Sequence, residues 1–321
     1  MKTFSFALAV ATIVCVEAEF DLVAGAAAPA ALKTILEREG YGGSPLQRRF
    51  GNHLFVHTVI NGHQTALMID TGAPHTLIDS ASARALGLAV RETKGTITGI
   101  SGTTEHAGVA KISSLRMGNC TFLNVPILVA DSSSLNSIRG PHLDGLFGAH
   151  EMSKFGVVVD CARQMLYVNP RGSSPTANQN LEIFLVGRGF RRIPMQFDFN
   201  HHLEIQARVN GHPVAMIVDT GASSTFLPAP IASAAGVATT GLNYKIGGAT
   251  TGALSGKIAR VQELALGDLV IHNAELIIGE SRLGGSGLLA EEYLSWNFGI
   301  VDVGGMNLYL RPPDSTPAKK R

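Results

Sequence analysis

The chain of 321 residues contains much of its own sequence twice. The stretch Asp-Thr-Gly-Ala at 70–73 recurs at 219–222, which is 149 positions later. Towards the end of each copy the spacing falls to 142, where Tyr167 corresponds to Tyr309, so one loop of the second copy is seven residues shorter. A duplication of this kind constrains the architecture strongly, because both copies must be able to form the same fold.

Each copy has the pattern of a β protein. Asn61-Gly62 and Asn210-Gly211 each separate two apolar strand patterns, which is typical of a tight hairpin. Only short helical patterns follow, and a glycine ends each of them. Glycine is abundant, with 36 residues, and aromatic residues make up only 6% of the chain. We therefore predict an all-β, bilobal fold with short helices and two homologous β-barrel lobes related by a pseudo-two-fold axis.

Charge and the first residues bear on where the protein works. Charged residues make up 16% of the chain and the net charge is +1, which gives no electrostatic reason to expect a nucleic acid or membrane-surface partner. Lys2, the apolar run 4–16 and the small residue Ala18 predict a secretory signal peptide over 1–18. An uncleaved anchor is the alternative. The prediction is a secreted or periplasmic protein with no membrane span after signal cleavage.

Composition and the repeat together predict the domain organisation. Cleavage of the signal would leave Cys120 and Cys161, either as a disulfide or as two buried thiols. The predicted segments are a signal peptide at 1–18, an N-terminal segment and candidate pro-segment at 19–43, lobe 1 at 44–170, a linker at 171–192, lobe 2 at 193–311 and a tail at 312–321.

Asp70 and Asp219 are the predicted catalytic residues. Each carboxylate ends an apolar run, and equivalent loops of two copies packed about a pseudo-two-fold axis would face each other. Two carboxylates at close range share one proton. The ionised one can take a proton from water while its partner hydrogen-bonds a substrate carbonyl. One Asp-Thr-Gly alone is an ordinary turn, but two in register after matching apolar strands favour a site.

The residues that follow each aspartate are predicted to support the site. Glycine lets each loop approach its twin closely, and the threonine hydroxyls can bond across the axis. These supporting residues are Thr71, Gly72 and Ala73 in the first copy and Thr220, Gly221 and Ala222 in the second.

With these motifs in place, the chain resembles the retropepsin-like aspartic proteases, in a form with two fused lobes. The resemblance spans roughly 45–310 and depends on the two Asp-Thr-Gly-Ala motifs, on glycine-rich segments at 95–108 and 244–256, and on a late apolar element at 146–148 and 288–290. It implies the bilobal acid-protease fold and endopeptidase activity on extended peptides, without cofactor or metal. The implied flap and substrate-binding residues are Gly99, Ile100, Ser101, Gly102, Ile246, Gly247 and Gly248.

The resemblance also implies a monomer that acts through an internal pseudo-dimer, with a peptide or protein as its substrate. A homodimer with lobes paired between chains is one alternative, and an inactive peptide-binding protein of the same fold is another. Ala290, where the family favours glycine, and Pro74-His75 after the first motif favour the inactive form.

Pepsin-type enzymes usually have Ser or Thr where this chain has Ala73 and Ala222. Without that hydroxyl the charged form loses a hydrogen bond, which predicts a mildly acidic pH optimum.

Four histidines are candidates for metal ligands. His53, His57, His201 and His202 fall on strand patterns without an acidic companion, so they are expected at the surface or at strand edges, and no zinc site is predicted from them.

Overall fold

The computed structural model describes residues 5–7, 12–13, 29–99, 104–132, 143–247, 253–281 and 285–312. The helices are Pro29–Arg38 (α1), Ser80–Ala85 (α2), Ala149–Lys154 (α3), Pro175–Val186 (α4), Ala229–Ala234 (α5) and Glu291–Trp296 (α6). The strands are Ser5–Ala7 (β1), Thr12–Ile13 (β2), Gly42–Arg49 (β3), His53–Ile60 (β4), His63–Asp70 (β5), Leu77–Asp79 (β6), Arg91–Thr98 (β7), Thr104–Met117 (β8), Cys120–Ala130 (β9), Gly145–Gly148 (β10), Val158–Asp160 (β11), Met165–Val168 (β12), Arg191–Pro194 (β13), Gln196–Phe197 (β14), Leu203–Val209 (β15), His212–Asp219 (β16), Phe226–Pro228 (β17), Thr239–Gly247 (β18), Ala253–Leu266 (β19), Leu269–Gly279 (β20), Gly287–Ala290 (β21), Ile300–Asp302 (β22) and Asn307–Leu310 (β23).

Each lobe is a closed barrel of six strands. In lobe 1 the strand order is β8, β9, β6, β10, β5 and β4, and pairing of β4 with β8 closes the barrel. In lobe 2 the order is β19, β20, β17, β21, β16 and β15, and β15 pairs with β19. Closure removes the exposed strand edges that an open sheet would present. The predicted all-β, two-lobed fold is confirmed.

The Asn-Gly hairpins form the same turn in both lobes. Asn61 and Gly62 have φ values of 50° and 90°, and Asn210 and Gly211 have 49° and 81°. Two consecutive positive φ angles define the turn whose twist matches that of paired strands, and Asn-Gly adopts it at least cost. These turns fix the register of β4 with β5 and of β15 with β16. Both aspartate-bearing strands are therefore positioned by local sequence.

A six-stranded sheet joins the lobes. Its order is β3, β12, β11, β22, β23 and β13, and its central pair joins one copy to the other, with Val158 opposite Asp302 and Asp160 opposite Ile300. The sequence predicted the closing strand pair of each copy but not their pairing across copies. Backbone hydrogen bonds between β11 and β22 thus join the two lobes.

The segment predicted as a linker contains α4. Ser174 caps this helix, since its Oγ accepts from the N–H of Ala177 at 3.1 Å, and Pro175 occupies the first turn. The Ser- and Pro-rich composition that predicted a linker therefore marks the beginning of a helix. Leu181 and Leu185 pack in one buried cluster with residues of α1, so the segment 171–192 is largely structured.

The remaining predictions about the chain ends and cysteines have different outcomes. Cys120 and Cys161 are both buried free thiols, and burial raises the pKa of each. Most of the predicted signal peptide lies outside the described residues, which include only β1 and β2 from that region. Among the described residues, no helix is long and apolar enough to cross a membrane.

Candidate active site

Asp70 and Asp219 occupy equivalent positions at the ends of buried strands. Asp70 is the last residue of β5 and lies opposite Gly148 of the parallel strand β10. Asp219 is the last residue of β16 and lies opposite Ala290 of β21. Both aspartates are fully buried. The apolar runs before them thus form barrel strands, and these strands position each carboxylate at the boundary between the lobes.

The two aspartate loops are packed directly against each other. A Cβ atom on Gly72 would lie 2.3 Å from Cγ of Asp219, and a Cβ atom on Gly221 would lie 2.5 Å from Cγ of Asp70. No side chain fits at such distances. Glycine is therefore needed at both positions to leave room for the carboxylate of the other lobe. The predicted aspartates and glycines are brought into one cluster.

The threonines bridge the lobes symmetrically. The hydroxyl of Thr71 donates to the carbonyl of Val218 at 2.7 Å, and the hydroxyl of Thr220 donates to the carbonyl of Ile69 at 2.8 Å. Each hydroxyl also accepts a backbone N–H from the other threonine, at 3.0 and 3.1 Å. All these groups are buried, where a lost hydrogen bond leaves an unsatisfied polar atom. The network therefore holds the two loops at a fixed separation.

Backbone N–H groups hold one oxygen of each carboxylate. Oδ1 of Asp70 accepts from Ala73 at 2.9 Å, and Oδ1 of Asp219 accepts from Gly221 at 2.8 Å. Ala73 and Ala222 are fully buried and offer no hydroxyl, as their sequence implies. Backbone N–H groups thus orient one oxygen of each carboxylate, and no hydroxyl from position 73 or 222 assists them.

Three of the predicted flap residues lie on, or at the end of, a strand of two long hairpins. Gly99 follows β7, which pairs with β8, and Ile246 and Gly247 end β18, which pairs with β19. The other predicted flap residues, Ile100, Ser101, Gly102 and Gly248, lie outside the described residues.

A carboxylate that sequence reasoning missed supports the first aspartate loop. Oε2 of the buried Glu151 accepts from the N–H of Thr76 at 2.7 Å, and its Oε1 lies 3.8 Å from Nδ1 of His75. Burial opposes ionisation of Glu151, but the nearby His75 and the hydrogen bond from Thr76 outweigh it and lower its pKa. The His150 ring lies 5.1 Å from that of His75, and burial lowers the pKa of His150.

Lobe 2 supports its loop with a different carboxylate. Glu292 accepts from the N–H of Thr225, and its carboxyl end is buried although the residue as a whole is partly exposed. Burial raises the pKa of Glu292 to about 8. In the aligned copies Glu292 corresponds to His150 and not to Glu151. An alignment of the two copies therefore does not reveal that each lobe uses a glutamate to accept the N–H of its own threonine, Thr76 or Thr225.

Ala290 is accommodated without loss of the local hydrogen bond. The N–H of Gly148 donates to Oγ1 of Thr76 at 3.1 Å, and the N–H of Ala290 donates to Oγ1 of Thr225 at the same distance. Glycine is required in lobe 1, because a Cβ there would lie 2.3 Å from the carbonyl carbon of His75. Ala290 lies opposite Asp219 just as Gly148 lies opposite Asp70, so the extra methyl group leaves the pairing of the strands the same in both lobes.

An ion pair crosses between the lobes behind the site. The guanidinium of Arg48 lies 3.0 Å from Oε1 of the buried Glu291, and it also donates to the carbonyl of Cys161 and the hydroxyl of Ser295. Burial raises the pKa of Glu291 despite the arginine. The corresponding positions of the other copy hold Phe197 and Ala149, so this contact has no symmetric twin.

Two histidines expected at the surface or at edges are buried. His53 lies with Nε2 3.1 Å from the hydroxyl of Ser223, across the lobe boundary. His202 lies with Nδ1 3.0 Å from Oδ2 of Asp198, an acidic partner that the strand pattern did not reveal. Both expectations were wrong, because His53 lies against Ser223 of the other lobe and His202 is buried against Asp198 of its own lobe.

Comparisons with known proteins agree with this geometry. The sequence model of a family described as aspartyl protease matches residues 56–150 and 205–293, one stretch in each lobe and more than half of the chain. No curated protein sequence matches significantly.

Solved structures with a similar fold include conglutin gamma, a basic 7S globulin from lupine seeds, at 12% identity and a TM-score of 0.50 over 86% of this chain and 95% of that one. A basic 7S globulin from soybean matches at 12% identity and a TM-score of 0.46 over 85% and 95%. A retropepsin-like aspartic protease from Rickettsia conorii matches at 19% identity and a TM-score of 0.29 over 40% of this chain and 89% of that one. With a family match in each lobe, this chain belongs to the aspartyl protease family, in a two-lobed form.

Proposed function

We propose that this protein is an aspartic endopeptidase that hydrolyses peptide bonds with water activated between Asp70 and Asp219. The observation that carries the proposal is the mutual packing of the two loops, in which each glycine leaves room for the carboxylate of the opposite lobe. A turn with no chemical role would not need two buried carboxylates to approach each other at the boundary of two barrels.

The mechanism follows from a proton shared between two adjacent carboxylates. The ionised member takes a proton from a water molecule, which attacks the carbonyl carbon of the peptide. The protonated member donates a hydrogen bond to the carbonyl oxygen, so the developing negative charge is stabilised. Proton transfer to the leaving nitrogen then breaks the C–N bond. The threonine bridge keeps the carboxylates at a fixed distance throughout.

The substrate we propose is an extended peptide. It would lie across the lobe boundary under the hairpins β7–β8 and β18–β19, whose strands can offer backbone hydrogen bonds. We also propose that the protein acts outside the cytoplasm as a single chain, with its signal peptide removed.

A peptide-library cleavage assay tests the function. We expect cleavage by the wild-type protein that pepstatin inhibits and that Asp70→Asn and Asp219→Asn each reduce by about 10³-fold or more. The matched control is Asp268→Asn, which changes an exposed turn residue and should retain full activity. The rate should peak in mildly acidic conditions, because no hydroxyl at Ala73 or Ala222 supports the charged form.

Undiminished cleavage by Asp70→Asn would refute the mechanism. Absence of cleavage by the wild type at every pH would favour the alternative, a peptide-binding protein of the same fold. One observation favours that alternative, since two of the structures with a similar fold are described as seed globulins.

A further inference from the structure

We propose that His75, His150 and Glu151 form a binding site for a transition-metal ion, with Zn²⁺ as the best match. This His75–His150–Glu151 cluster lies at the back of the first aspartate loop and has no part in the proposed peptide hydrolysis. One ligand atom from each residue lies within 4.8 Å of the other two.

The donor set determines the kind of ion. Two imidazole nitrogens and one carboxylate oxygen suit Zn²⁺, which commonly takes three protein ligands with a fourth position left for water. Mg²⁺ and Ca²⁺ prefer oxygen ligands throughout, so a site with two nitrogens selects against them. The inferred ligand is therefore a borderline divalent ion of the zinc type.

The geometry needs only small movements to bind the ion. Ligand atoms around a tetrahedral Zn²⁺ lie roughly 3.4 Å apart, given bond lengths of about 2.0–2.2 Å. The rings of His75 and His150 are half-buried and can turn to close the remaining gap. Glu151 is buried, and the N–H of Thr76 donates to its Oε2, so its Oε1 already points towards His75. Such an outer hydrogen bond typically orients a metal ligand.

The site would join two elements that already touch. His75 belongs to the loop that follows Asp70, and His150 and Glu151 lie in the first turn of α3. The N–H of His150 donates to the carbonyl of Pro74 at 3.0 Å. An ion bound to all three side chains would add a further link at this contact and brace the loop that carries Asp70.

Lobe 2 provides an internal comparison. Ser224, Glu292 and Tyr293 stand at the positions that correspond to His75, His150 and Glu151. That set contains no imidazole, so the metal site is confined to lobe 1. The Pro74-His75 sequence that distinguishes the first motif from the second thus has a chemical role under this proposal.

Calorimetric titration of the full-length protein with Zn²⁺, after treatment with a chelator, tests the site. We expect one tight equivalent per chain. His75→Ser, which copies the lobe 2 residue, and His150→Gln should each weaken binding by about 100-fold or more. His272→Gln is the matched control, because His272 is an exposed histidine on β20. Zn²⁺ should also raise the melting temperature of the wild type and the control, but not of the two cluster variants.

A fourth variant separates this site from the aspartate pair. Asp70→Asn should bind Zn²⁺ as the wild type does, and this result is independent of whether the protein cleaves peptides. The proposal is overturned if the wild type binds less than one equivalent, if both cluster variants bind with wild-type affinity, or if Asp70→Asn abolishes binding.

Discussion

The two lobes of this protein are alike at the aspartates and unlike directly behind them. Both lobes bring Asp-Thr-Gly to the boundary with matching glycine clearances and reciprocal threonine bonds. Behind those loops, lobe 1 places His75, His150 and an ionised Glu151, whereas lobe 2 places Glu292, whose pKa is raised to about 8.

The difference shows which parts of the duplicated sequence have stayed alike in the two lobes. The aspartate loops contact each other, so a change in one must fit the other, and the two have stayed equivalent. Behind them, Glu151 and Glu292 each hydrogen-bond within their own lobe, and the ion pair of Arg48 with Glu291 crosses the boundary in one direction only, so the two lobes differ there. Three pairs of substitutions test this contrast.

The largest expected effect comes from the one-sided ion pair. Arg48→Met would leave the buried Glu291 without its cation, and we expect the free energy of unfolding to fall by about 3 kcal/mol, because an unpaired buried charge is costly. The double variant Arg48→Met with Glu291→Ala should lose less than the sum of the two single variants. Denaturant unfolding of all four proteins provides the measurement, and strictly additive losses would contradict the pairing.

A smaller effect should distinguish the residues opposite the aspartates. Gly148→Ala would force a Cβ to 2.3 Å from the carbonyl carbon of His75, so we expect a loss of about 1–3 kcal/mol from overpacking. Ala290→Gly, the reverse exchange in lobe 2, should cost only about 0.5–1 kcal/mol through backbone freedom. Thermal unfolding compares them, and equal losses would mean that the two strand ends are packed alike.

The two supporting glutamates should differ in the direction of their pH dependence. The pKa of Glu151 is lowered in the folded protein, so its contribution to stability is present above the unfolded pKa and is lost as pH falls. Glu151→Gln should therefore destabilise the protein at neutral pH by about 1 kcal/mol, with a difference that shrinks in acid.

Glu292 should behave in the opposite way. Its pKa rises from 4.5 to about 8 on folding, so its contribution is present below 4.5 and is lost as pH rises through 8. Glu292→Gln cannot ionise, and it should gain stability relative to the wild type between these values. Unfolding measured at pH 4.5 and pH 8 checks both variants, and parallel pH profiles would contradict the assigned environments.

The sequence predicted the parts of the fold that depend on local patterns. Asn-Gly turns imply hairpins, apolar runs imply barrel strands, and the repeat pairs Asp70 with Asp219. It did not predict the pairing of β11 with β22, because an apolar strand pattern does not specify its partner. Nor did it predict the roles of Glu151 and Glu292, since they occupy non-corresponding positions in the aligned copies and their effect depends on burial.

The order of the two halves along the chain has a consequence during synthesis. Asp219 follows Asp70 by 149 residues, which a ribosome needs roughly 7–30 s to add. Throughout that interval the strand β11 lacks its neighbour β22, and the second aspartate loop has not yet folded against the first. Under the proposed mechanism, a nascent chain therefore hydrolyses no peptide until its second half has emerged and folded onto the first.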